Sequence, residues 1–197
     1  MKKIFYKMLL PSVLFIIVIA TTLSSCNSDD TRRSQHNAAI DSLKNQILLL
    51  TASNDMVAKN LATFDVLDFT VFSNQQWTRL HESHSKDIKV HWPDGHITTG
   101  IDRHITDLKA MFVYAPNTSI KEHPIHFGSG NMTCVTGTMT GTFSAPMPAG
   151  IGQLIQPTGK SFVLPMCTVG IWKDGVMEEE YLFWDNHAYM EQIGITK

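Results

Sequence analysis

Asp174-Gly175 lies between two runs rich in β-branched and aromatic residues, Ser161 to Trp172 and Val176 to Asp185. Asp-Gly readily adopts the positive φ angles of a two-residue hairpin turn, so the two runs are constrained to be antiparallel neighbours. With that turn, facing residues have numbers that sum to 349, which sets Asp185 opposite Leu164, Phe183 opposite Met166 and Tyr181 opposite Thr168. Alternation then puts Glu179, Tyr181, Phe183 and Asp185 on one face, and Leu182, Trp184, Cys167, Val169 and Ile171 on the other. Both faces are largely apolar, so both need cover. Helices can cover one, and a second copy of the chain is the economical cover for the other. The expectation is a homodimer burying Leu182 and Trp184.

Upstream, the chain reads as helices followed by a sheet. Val57, Leu61 and Phe64 recur at helical spacing and predict a helix over 54–71, with a short helix over 74–82 after Ser73-Asn74. His84 to Asp87 reads as a loop, and Asp87 to Trp92 as a short strand ending at Pro93-Asp94-Gly95. A second amphipathic helix is expected over 101–112, with Ile101, Ile105, Leu108 and Phe112 on one side. Long strands are expected over 119–127, 132–143, 161–172 and 176–185, with a Pro/Gly-rich loop at 144–159. This order predicts an α+β fold. Hydrophobic residues at 43% and charged residues at 17% exclude a disordered chain. A net charge of −2, with no block of like charge in the body, excludes a nucleic-acid footprint.

The first 25 residues read as a bacterial lipoprotein leader. Lys2, Lys3 and Lys7 precede an apolar stretch from Met8 to Ala20, too short to span a bilayer comfortably. Leu23-Ser24-Ser25-Cys26 resembles a lipobox, which implies lipidation at Cys26 and attachment to the membrane. Asn27 in place of Asp implies the outer rather than the inner membrane of a bacterial cell envelope. Residues 26–53 read as a tether. It carries a short apolar seam at Ile40, Leu43, Ile47 and Leu50, and a break at Thr51 to Asn54. The domain proper is assigned to 54–197.

The tail Lys173-Asp174-Gly175-Val176-Met177-Glu178-Glu179-Glu180-Tyr181-Leu182-Phe183-Trp184-Asp185, followed by Met190-Glu191-Gln192-Ile193-Gly194, resembles the end of SnoaL-like polyketide cyclases, also called ester cyclases. Val90-His91-Trp92-Pro93-Asp94-Gly95, Thr99-Gly100, Gly137 with Gly141-Thr142-Phe143, and Pro157-Thr158-Gly159-Lys160 match in order over about residues 54 to 195. The resemblance implies a nuclear transport factor 2-like cone, a curved sheet whose helices close a ligand cavity, often dimeric. It also implies ring closure by aldol chemistry without a cofactor, and Asp185 matches the family's acid/base position.

An apolar pocket of Tyr181, Phe183, Met166 and Leu164 would desolvate Asp185 and raise its pKa toward the range of a proton shuttle. The alternative is that Asp185 caps a helix at 186–192 or pairs with a basic residue. His91 and His104 are candidates to orient a substrate carbonyl, Glu179 shares the Asp185 face, and Trp92 and Tyr181 are lining candidates. His81 with His84 and His123 with His126 are spaced HxxH. On a strand His123 and His126 point to opposite faces, while His81 and His84 on a helix end could share an ion; a third ligand is not obvious, so these histidines read as surface residues and no metal site is assigned. Cys134 and Cys167 are candidate cross-strand neighbours, as two thiols or a disulfide. Two functional readings remain open: a cofactor-free cyclase or isomerase acting on a small apolar carbonyl compound, and a membrane-anchored module that binds such a compound without turnover.

Overall fold

The computed structural model describes the backbone over residues 10–196 and the side chains over residues 29–196. The leader and Cys26 therefore lie outside the residues whose side chains are described. The chain divides into two compact units, Met1–Thr51 and Ala52–Lys197. The first is helical throughout its described part, within helix α1 (Leu10–Val66). Its seam residues Leu43, Ile47 and Leu50 are exposed. Thr51 to Asn54 is helical rather than a break: none of the four is Gly or Pro, so nothing stops the helix there.

In the second unit, helix α1 passes into a π-helical segment, Leu67–Phe72, and then a 3-10 turn, Trp77–Glu82. Strands β1 (His84–His91) and β2 (Ile97–Thr99) form a hairpin, and helix α2 covers Ile101–Tyr114. Strands β3 (Ser119–Ile120), β4 (His126–Ser129) and β5 (Met132–Thr142) follow. The loop carries a small ribbon, β6 (Met147–Pro148) with β7 (Leu154–Ile155). Strands β8 (Ser161–Lys173) and β9 (Val176–Trp184) and helix α3 (Asn186–Gln192) complete the unit. The main sheet runs β2-β1-β9-β8-β5-β3, with β4 also on β5. All its pairs are antiparallel except β1 with β9. This is the expected α+β arrangement. Phe64, Leu80, Ile88, Val90, Val135, Phe143, Phe162, Leu164, Met177 and Ile193 are fully buried in the core.

Three local departures from expectation decide what lies inside. The strand expected over 119–127 is two strands, because Pro124 cannot supply a ladder N–H and interrupts the pairing. His123 is buried at that break. The loop expected over His84 to Asp87 is instead the start of β1, and His84 is buried and pairs with Met177.

The third departure is at the hairpin. The Asp174-Gly175 turn forms as expected, with φ of 52° and 86°, and Lys173 pairs with Val176. Trp172 then pairs with Met177 but Ile171 with Glu179, so Glu178 is an extra residue, a β-bulge. Gly170 accommodates it: a Cβ there would lie 2.6 Å from the Met177 sulfur. Beyond the bulge every β9 side chain is on the face opposite to the one expected. Trp184 faces Met166, Leu182 faces Thr168 and Glu180 faces Gly170. Leu182 is buried in the interior and Trp184 lines it, so neither belongs to an outer, intersubunit face. The outer face carries Phe183, Val163, Phe127 and Met132, all exposed.

Candidate active site

The sheet and the helices enclose a narrow cavity of about 40 Å³. Leu67, Phe72, Leu108, Met111, Met166 and Trp184 are among its apolar lining. Four ionisable side chains break that lining: Asp68, His84, His104 and Glu180. A few polar groups converging in an apolar cavity are the usual form of a small-molecule site.

Asp68 comes from the π-helical segment, where the widened turn shows in the Ser73 N–H donating to the Asp68 carbonyl at 3.2 Å. Its carboxylate accepts from His123 Nε2 at 2.8 Å, and His123 Nδ1 donates to Asp65 at 2.7 Å. Asp65 lies three residues before Asp68, one turn away, so both carboxylates reach one imidazole. The His123 ring packs against Phe64 and Phe69. Burial raises the Asp68 pKa, and the His123 contact only partly offsets this. For His123, burial opposes the charge, but Asp68 and Asp65 outweigh it and the pKa is raised. The Asp65 side chain is 48% exposed while that of His123 is 1% exposed, so the series runs from cavity wall to solvent.

The second group joins three elements: His84 from the start of β1, His104 from α2 and Glu180 from β9. Glu180 Oε2 is 3.3 Å from His104 Nε2 and 3.6 Å from His84 Nε2. Neither is a hydrogen bond, and each is an ion pair only where its histidine is protonated. Among the described residues, His84 Nε2, His104 Nδ1 and Glu180 Oε2 are the buried side-chain atoms without a hydrogen-bond partner. Each such atom costs about 1–3 kcal/mol. Burial pushes the His104 pKa down to about 4, against the pull of Glu180. Burial opposes ionisation of Glu180 too, but the facing histidines, His84 foremost, hold its pKa below the ordinary value.

The residues singled out from sequence are divided by the bulge. His104 and Met166 line the cavity, and Leu164 is core behind it. Trp92 borders the cavity, its ring 5.8 Å from His104 and 6.4 Å from Trp184, and its Nε1 donates to Thr98. His91, Glu179 and Tyr181 do come together, but on the outer face. Glu179 Oε2 meets His91 Nε2 at 3.0 Å and accepts the Tyr181 hydroxyl at 2.9 Å, and the two rings stack 3.9 Å apart. Phe183 is outside as well, 51% exposed.

Asp185 is exposed and does not enter the cavity. Its Oδ1 accepts from the His187 and Ala188 N–H groups at 2.8 and 3.0 Å, as the N-cap of α3. Its assignment as a desolvated proton shuttle is thereby corrected; so is that of Glu179, Tyr181 and Phe183 as cavity lining. The Cys134 and Cys167 sulfurs lie 3.5 Å apart as two thiols.

Glu180, His84, Asp68, His123 and Asp65 went unrecognised from sequence. Asp68 carried one signal, a lone charge within the apolar run Val66-Leu67-Asp68-Phe69. Glu180 carried none that distinguishes it from Glu178 and Glu179, because the bulge decides which of the three points inward.

The profile of SnoaL-like polyketide cyclases matches residues 64–193. Among solved structures, a SnoaL-like polyketide cyclase, provisionally so described, from Jannaschia sp. CCS1 is 19% identical. It covers 72% of this chain and 96% of its own, with a TM-score of 0.62. IdmH from Streptomyces antibioticus, provisionally a polyketide cyclase, is 19% identical over 68% of this chain and 98% of its own, at a TM-score of 0.58. A protein of the same provisional description from Xanthomonas campestris is 13% identical over 71% and 99%, at 0.61. No functionally curated protein matches. At these identities the structures show the shared fold, and the profile match over most of the folded unit establishes that this chain belongs to the SnoaL-like polyketide cyclase family.

Proposed function

We propose that the protein is a cyclase or isomerase for a small apolar carbonyl compound, with Asp68 as its proton-transfer group. The observation that carries this reading is the placement of Asp68, a buried carboxylate on the wall of an apolar cavity, backed by His123 and Asp65. Burial brings a carboxyl toward the pKa range in which it can both take and return a proton. Asp68 removes a proton α to a carbonyl, breaking C–H and leaving an enolate. The enolate carbon attacks a second carbonyl of the same molecule, forming C–C. The resulting alkoxide takes the proton back from Asp68, so the ring-closed product is an isomer of the substrate. His123 holds the Asp68 carboxylate in place, and the apolar lining excludes water that would quench the enolate.

Proton exchange tests this without knowledge of the natural substrate. The full-length protein in D₂O, given a panel of apolar 1,3-diketones, is expected to accelerate α-deuteration followed by NMR. Asp68→Asn keeps the shape and should cut that rate by about 10²–10⁴. Tight binding of the same compounds with no exchange would replace the enzyme by a binding module.

The same reading includes an anchor and a second copy. The lipobox supports attachment at Cys26 to the outer membrane of the cell envelope, and Cys26→Ser should then leave unprocessed precursor. The exposed Phe183, Val163, Phe127 and Met132 support a homodimer across the outer sheet face, and sedimentation showing monomer alone at micromolar concentration would remove it.

A further inference from the structure

We propose that His84, His104 and Glu180 together bind a divalent zinc-class ion on the cavity wall. Three potential ligand atoms from three separate elements lie within 4.8 Å of one another, and all three residues are buried. Two imidazoles and one carboxylate form a donor set that suits zinc, with one position left open toward the cavity.

The tautomer of His84 sharpens the case. The Ser83 hydroxyl has a single proton and donates it to the Leu80 carbonyl at 3.2 Å. With that proton so placed, Ser83 Oγ accepts from His84 Nδ1–H, 2.9 Å away. In neutral His84 this leaves a bare lone pair on Nε2, aimed at the Glu180 carboxylate oxygen 3.6 Å off. Two lone pairs facing each other in a buried site repel, and a cation between them turns the repulsion into two bonds. Ser83 has the position of the outer partner that orients a ligating histidine.

The spacing agrees. Ligand atoms about 2.0–2.1 Å from a tetrahedral zinc are about 3.3 Å apart, whereas cis ligands of an octahedral ion at that distance are about 3.0 Å apart. The observed separations of 3.3 and 3.6 Å from Glu180 Oε2 match the tetrahedral edge. The competing arrangements place a proton on His84 Nε2 that points at Glu180, either in the neutral tautomer with Ser83 donating to Nδ1 or in a doubly protonated ring.

The assignment stands on this cluster and not on the role of Asp68. If both hold, the ion faces the same cavity and would polarise a substrate oxygen there.

The test is metal binding by the full-length protein, stripped with chelator and dialysed against zinc. One zinc per chain is expected by elemental analysis, with a rise in melting temperature on adding zinc. Cobalt(II) in its place should give the intense visible bands of tetrahedral coordination. Glu180→Gln should weaken zinc binding by about 100-fold or more, and Ser83→Ala by about 10-fold. His81→Ala, His96→Ala and Asp68→Asn should bind as the parent does, the last separating this site from the proton-transfer reading. Retention of no zinc by the wild-type chain would overturn the proposal without recourse to any variant. So would a Glu180→Gln chain, folded by circular dichroism, that holds as much zinc as the parent.

Discussion

Glu179 and Glu180 are adjacent on one strand and have opposite surroundings. Glu179 faces outward, where His91 and Tyr181 hydrogen-bond it and Lys89 stands 3.8 Å away. Glu180 faces inward, buried, with Oε2 near two histidines but hydrogen-bonded to neither. The outer carboxylate is the better satisfied, and its neighbours contribute the modest energy of a surface cluster. The inner one is held in a costly state, and such states concentrate at functional positions. A polar side chain that the fold stabilises poorly is therefore the better guide to the site here than a well-bonded cluster.

The sharpest way to break the contrast is to delete Glu178. Removing the bulge residue would restore the simple hairpin register and exchange the two faces of β9, driving Tyr181 inward and Leu182 and Trp184 outward. Loss of more than about 4 kcal/mol, or of cooperative folding, is expected in denaturant titration. A stable deletion variant would show that the bulge does not set the faces.

Next in size is Asp68→Leu. It leaves His123 buried with Asp65 alone and should cost about 3–5 kcal/mol, as for breaking a buried pair. A change below about 1 kcal/mol would show that the Asp68–His123 contact is not made in solution.

The same trio predicts a pH dependence. His123 is faced by Asp65 and Asp68 and packed by Phe64 and Phe69, while Glu180 and His84 act on Asp68 from across the cavity. Its folded pKa is raised, so its stabilising contribution is complete below the ordinary histidine value of about 6.5. That contribution is lost as pH rises through the folded value, at up to about 1.4 kcal/mol per pH unit. An NMR titration should place the His123 midpoint above the ordinary histidine value of about 6.5, and Asp68→Asn should lower it.

The outer residues give the smallest effects. Asp185→Ala removes a helix cap and should cost about 1 kcal/mol, leaving α-deuteration unchanged. Glu179→Gln should cost less than about 1 kcal/mol. A collapse of exchange in Asp185→Ala would return the chemistry to the end of β9.

Most of the fold was legible. The Asp-Gly turn, the Thr-rich β5, the 3.6-residue spacing of α2 and the capped α3 are local signals, and each element appears near its expected position. The inward-facing set of β9 was not legible, since a bulge is a tertiary compromise. Met177 fills the space beside Gly170, 7 residues away in sequence, and no pattern within the strand announces it. The His123 pocket was hidden similarly. Pro124 was present to interrupt a strand expected to run unbroken, but its consequence depends on Asp65 and Asp68, contributed by a distant helix. The histidines were read in HxxH pairs, whereas the fold assembles them one from each pair: His84 with His104, and His123 with two aspartates.

Strand β9 lies between β1 and β8 in the sheet, although β1 leaves the ribosome well before β9. Until residues 176–184 emerge, the β1–β2 hairpin has no sheet to join, and the cavity has only part of its walls. The sheet consequently cannot lock into its final form before β9 has been made, because its closing contacts are long-range in sequence.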